Sequence, residues 1–154
     1  MLRAIKRMFD TAQADARPAS GFERRQLLVA VAALLHEARR ADNTEDEDET
    51  AAAERALVEL FGLDRRESAA LLEEGRARAQ QLSSFYAPVT VIKRDFSLEQ
   101  RIRLVEQLWR VAYADRRLNP YEDHYVRKIA HLLYVPNTQC MLARNRARQS
   151  GATP

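Results

Sequence analysis

Six of the eight residues from Asp42 to Glu49 carry a carboxylate: Asp42, Glu45, Asp46, Glu47, Asp48 and Glu49. Carboxylates crowded into a short stretch are the ligands of hard divalent cations such as calcium or magnesium. An EF-hand is the first geometry to test, and the spacing excludes it. Counted from Asp42, the twelfth position needs a bidentate Glu and holds Ala53, and the sixth needs Gly and holds Glu47. Counted from Asp115, Arg117 stands third and Val126 twelfth.

A second acidic turn nevertheless exists. Laying Asp42 on Asp115, a shift of 73 residues, also lays Glu49 on Glu122. Upstream, Val31, Leu35, Ala38 and Ala41 fall on Leu104, Leu108, Val111 and Ala114. Downstream, Ala53, Ala56, Leu57, Leu60 and Phe61 fall on Val126, Ile129, Ala130, Leu133 and Tyr134. Each half reads as a helix ending in Ala-Asp, a turn, and a helix that starts near a Glu. The step from Asp to Glu takes the chain out of one helix and into the first turn of the next. Two readings of the four carboxylates follow. Asp42, Glu49, Asp115 and Glu122 could be cation ligands, converging if the halves pack about a common axis. Alternatively, Glu49 and Glu122 serve as capping partners at helix N-termini, where acidic groups are welcome, and the two Asp bond to turn amides.

Other chemistry is thin. His36, His124 and His131 follow no zinc spacing, and Cys140 is the only cysteine, expected as a small core residue. There is no Gly-rich phosphate loop and no Gly-x-Ser-x-Gly elbow. Trp109 and Tyr113, four apart, suit a core better than a binding platform. The Arg-rich stretch Ala143–Gln149 could touch phosphate but lacks aromatic interleaving, so nucleic acid is not the expected partner.

The elements that hold these residues follow from composition and caps. Of 154 residues, 46% are hydrophobic and 31% charged, with 4 Gly and 5 Pro, which suits a helical domain with one core. Cap-x-x-Glu/Gln signals recur at Ser20/Glu23, Asp46/Glu49, Asp64/Glu67, Ser97/Gln100 and Asn119/Glu122. They predict helices near 21–41, 47–61, 65–83, 98–114 and 120–134, with a last one at 137–148. Segment 85–96 has β-type composition interrupted by Pro88 and reads as a crossing connection with room for one helical turn. Residues 1–9 place Leu2, Ile5, Met8 and Phe9 on one face of a short amphipathic helix, which could dock on the domain body or lie on a membrane surface. Residues 10–19 read as a linker and 20–149 as the domain. No apolar run is long enough to span a bilayer, and no signal-peptide pattern opens the chain, so a cytoplasmic protein is expected. The expected fold is an all-α bundle of six to seven helices, with two pseudo-symmetric helix–acidic turn–helix halves.

The stretch from Arg101 to Val135 resembles the TerB-like family, related to tellurite resistance protein TerB. Leu108-Trp109, Val111-Ala112-Tyr113-Ala114-Asp115, Leu118, Glu122, Val126-Arg127, Ile129-Ala130 and Leu132-Leu133 carry the pattern. Ala41-Asp42 through Phe61-Gly62-Leu63 resembles the family's other repeat, and the N-terminal amphipathic helix fits too. The resemblance implies an all-α bundle of two related halves and a non-enzymatic role linked to tellurite and other stress responses. It implies a divalent cation, calcium for instance, held through Asp42, Glu49, Asp115 and Glu122, and protein partners in membrane-associated complexes. The family's usual Ala-Asp-Gly is departed from twice, with Asn43 and Arg116 after the Asp. Asn tolerates the left-handed backbone that Gly allows, and Arg does so poorly. Arg116 and Arg117 also bring positive charge that could neutralise the second turn without a metal.

Overall fold

The computed structural model describes residues 21–39, 47–114 and 120–152. Its helices are α1 (Gly21–Ala38), α2 (Glu47–Phe61), α3 (Arg65–Gln81), α4 (Tyr86–Asp95), α5 (Leu98–Ala112), α6 (Pro120–Leu132) and α7 (Asn137–Ala152). No strand occurs among the described residues. The predicted amphipathic helix at 1–9, the linker at 10–19 and the caps Ser20, Asp46 and Asn119 lie outside them.

The expected starts at 21, 47, 65, 98, 120 and 137 are met, because caps fix where a helix can begin. At Ser97 the capping box is complete: its hydroxyl accepts from the Gln100 amide at 3.3 Å, and the Gln100 side chain accepts from the Ser97 amide at 2.8 Å. Asp64 accepts from the Glu67 amide at 2.7 Å, which holds its carboxyl below the usual range. The expected end at Phe61 is met, and the other helix ends shift by two or more residues, most at Ala38 and Ala152.

Segment 85–96 corrects the sequence reading: Tyr86–Asp95 is a helix, not a connection. Pro88 stands in the first turn, where an amide has no intrahelical acceptor to lose. The Thr90 hydroxyl donates to the Tyr86 carbonyl at 2.8 Å, inside the helix. Pro88, Val89 and Ile92 are buried, and α4 packs chiefly on α1. Burial overrides the β-type propensity of the segment.

Two helices form the centre. From Leu27 onward almost every residue of α1 is buried, the signature of a helix covered on all sides. It packs on α3, α4, α5 and α2. The second centre, α5, packs on α7, α2, α6 and α1 and buries Leu104, Leu108, Trp109 and Val111 completely. Trp109 donates its indole N–H to the Cys140 carbonyl at 3.2 Å, and Cys140 is buried as expected. Burial pushes its thiol pKa up, which favours the protonated thiol.

The repeat is larger than a hairpin. In the first half α1 packs most on α3, and in the second α5 packs most on α7. The first two helices of each half match at the 73-residue shift, so that Glu47 falls on Pro120, the first residue of each second helix. The third helices match at a shift of 72. Arg65 then falls on Asn137, and buried Ser68, Leu71 and Gly75 fall on buried Cys140, Ala143 and Ala147. The slip occurs at the helix ends between. Gly62 has φ 68° after α2, and Tyr134 has φ 57° after α6. Tyr134 closes a Schellman turn, with Val135 N–H donating to the Ala130 carbonyl at 2.9 Å and Tyr134 N–H to that of His131 at 3.0 Å. Pairing Phe61 with Tyr134 is therefore corrected. Phe61 is buried, whereas Tyr134 is exposed and takes the place of Gly62.

Candidate site at the acidic turns

Glu49 is the third residue of α2 and Glu122 the third of α6. Side chains at this position turn back toward the helix start. Both are fully buried, which is rare for a carboxylate. Asp42, Asp115, Arg116 and Arg117 lie outside the described residues. The helices that carry the two Glu share α5 as their first neighbour and differ in the second, which is α3 for α2 and α7 for α6. Among the described residues, no three His, Cys, Asp or Glu side chains form a group that could hold a metal ion.

A guanidinium that sequence reasoning missed frames the first turn. Arg39, just past α1, donates through Nε to His36 Nδ1 at 3.2 Å and through Nη1 to Thr50 Oγ1 at 2.7 Å. It ties the last turn of α1 to the residue after Glu49. With Nδ1 accepting, a neutral His36 ring carries its proton on Nε2. His36 is buried, while His124 and His131 are exposed, in keeping with their lack of metal spacing. The available signal was Arg39 three residues before Asp42, a cation at the edge of an acidic run.

Before the second turn, α5 ends with Tyr113 N–H donating to the Trp109 carbonyl at 2.9 Å and Ala114 N–H to that of Val111 at 3.2 Å. Past the turn, Arg127 donates to Asp123 at 2.8 Å on α6. The Tyr125 hydroxyl donates to the Leu34 carbonyl at 2.6 Å, which pins α6 to α1. Phe85 meets its ring edge-on at a centroid distance of 5.5 Å.

Burial, with the Glu37 charge adding to it, holds the Tyr125 phenol well above its ordinary pKa near 10. The unfolded chain releases this proton near pH 10 and the folded chain retains it. Stability that is complete below pH 10 is therefore lost as pH rises further, by about 1.4 kcal/mol per unit from this group. We expect Tyr125→Phe to flatten the decline by about 1 kcal/mol between pH 10 and 11 in urea unfolding, the full slope being reached only above pH 11. Equal slopes in the two proteins would show that the phenol ionises in place.

Comparison with curated proteins and with solved structures finds no match. The family model described as tellurite resistance protein TerB matches residues 28–145, from the first buried turn of α1 into α7. That span takes in both acidic stretches and at least part of every helix of the two halves, so the chain belongs to the TerB family.

Proposed function

We propose that the chain is a cation-binding adaptor domain in a tellurite- or stress-response assembly, with no reaction of its own. The observation that carries this reading is the complete burial of Glu49 and Glu122 at matching positions, each seven residues after an Asp. Moving an ionised carboxylate out of water is costly unless opposite charge or hydrogen bonds compensate it. A divalent cation is a natural compensation where further carboxylates lie close in sequence. Asp42 with Glu49, and Asp115 with Glu122, would hold it. Acyl transfer is disfavoured by the buried Cys140 with its raised pKa, which offers no activated nucleophile.

Melting of the full chain with calcium chloride tests the reading. At a hundredfold excess over Kd, a bound ion adds about 2.7 kcal/mol, a rise of roughly 5–10 °C for a domain of this size. Asp42→Asn together with Asp115→Asn should abolish the rise, and the single variants should show which turn contributes. If calcium, magnesium and zinc all leave the melting point unmoved, the cation reading fails.

A second reading is a metal-free module for a protein or membrane partner. It is favoured by a groove between α1 and α4 that joins apolar Phe22, Val29, Pro88 and Val91 with Arg25 and Arg78. Phe22 is 72% exposed and the neighbouring Tyr86 70%. Among the described residues, no helix is long and apolar enough to cross a membrane.

A further inference from the structure

A cleft of about 410 Å³ opens between α2, α5 and α7, and neither Glu49 nor Glu122 lines it. Ala52, Ala114 and Ala147, one near each helix, line it with small side chains and leave room for a ligand. Its polar walls are Arg55 and Glu59 from α2, with Gln107, Arg110 and Tyr113 from the α5 side.

This wall already binds a carboxylate. Glu59 Oε2 accepts from Gln107 Nε2 at 2.7 Å and from Arg110 Nη1 at 3.2 Å. The surrounding charges are unbalanced. Arg110 is shared between Glu59 and Glu106, Arg146 pairs with Glu106, and Arg144 donates to the Tyr113 hydroxyl at 2.9 Å. Four guanidiniums, counting Arg55, thus meet Glu59 and Glu106, with the Asp123 charge acting on Arg144 as a third carboxylate, and α7 carries no acidic residue. Arg55 lies one helical turn before Glu59 and has no ion pair among the described residues, so its charge remains available. The Tyr113 oxygen accepts from Arg144, which leaves the phenol proton to be donated elsewhere.

We propose that this cleft is a binding site for a small oxyanion, a carboxylate or phosphate group, held between Arg55 and Arg110 with the Tyr113 hydroxyl as a third donor. Guanidinium suits both groups because its paired N–H donors match two oxygens at once. Glu59 occupies part of the site as an internal competitor. The site does not depend on the cation reading of the acidic turns.

Trp109 is the only tryptophan of the chain, and its ring lies 6.2 Å from Tyr113 and 5.7 Å from the Arg144 guanidinium. Its fluorescence therefore reports on the cleft. The full chain would be titrated with sodium phosphate and, separately, sodium acetate, each against sodium chloride at equal ionic strength. A saturable change is expected with at least one of the two, and the stronger response identifies the preferred oxyanion. Arg55→Ala, an exposed position, should weaken that binding at least tenfold. Glu59→Gln should tighten it severalfold by releasing Arg110 and Gln107. The proposal is overturned if chloride reproduces the response, if neither anion gives saturation, or if Arg55→Ala binds as the unaltered chain does. A Glu59→Gln variant that binds no more tightly would overturn the role of Glu59 as competitor.

Discussion

Gly75→Ala is expected to lower the melting temperature by roughly 5–10 °C, a loss of about 2–3 kcal/mol. The sign is what makes the experiment informative. In an ordinary helix interior, replacing Gly by Ala gains about 1 kcal/mol, because Gly has more backbone freedom to lose. Gly75 lies in the middle of α3, and a Cβ there would stand 2.6 Å from the Ala32 carbonyl carbon, 2.7 Å from its Cβ and 2.8 Å from its oxygen. Two of those atoms are backbone of α1, the central helix, and cannot swing aside. The helices must separate, and α1 against α3 is the most extensive interface of the domain. Circular dichroism melts of the two proteins decide the matter. An unchanged or raised melting point would mean that the helices do not approach this closely. A larger side chain such as Val should be worse than Ala, since β-branching adds bulk at the same point.

Glu106→Ala should cost about 2–3 kcal/mol in urea unfolding, while Arg146→Ala should cost under about 1 kcal/mol. The two residues form one ion pair, so the asymmetry is the prediction. Glu106 has a side chain only 7% exposed and receives Arg110 Nη2 at 3.2 Å as well as Arg146 Nε. Removing it leaves Arg146 without its ion pair and leaves Arg110, two-thirds buried, with Glu59 as its one remaining carboxylate. Arg146 is 48% exposed, and its loss leaves Glu106 still held by Arg110. Glu106→Gln keeps the shape and one acceptor and should fall between the two. Equal small losses for both alanine variants would mean that water already screens the network.

How much of this was legible beforehand can be judged residue by residue. Helix starts were, because a cap is a local device: Ser97 and Gln100 satisfy each other's amides without help from the rest of the chain. The buried stripe of α5 was, because apolar spacing of three and four marks the face to cover, whereas α1 is covered on nearly all sides and not along one stripe. The α4 helix was not, since its β-branched residues become helical only by packing on α1, a contact more than fifty residues away in sequence. Gly75 drew no notice, as nothing local distinguishes a glycine at a close helix crossing from one that merely weakens a helix. At the candidate site, sequence pairing singled out Glu49 and Glu122 without foreseeing their burial, while Arg39 and Thr50 were missed. Their link depends on how α1 and α2 meet across the turn. The third helix of each half was not legible because its match lies at a shift of 72, one residue short of that of the first two helices.

That change of shift, from 73 to 72 residues, shows where this architecture tolerates insertion and deletion. One residue removed from within a helix would rotate every later side chain by about 100° and turn the buried face toward water. Removed at the left-handed turn that Gly62 and Tyr134 occupy, it does no such harm, because the next helix begins with its own phase. Length differences between the halves, and between this chain and its relatives, should accordingly gather at these joints.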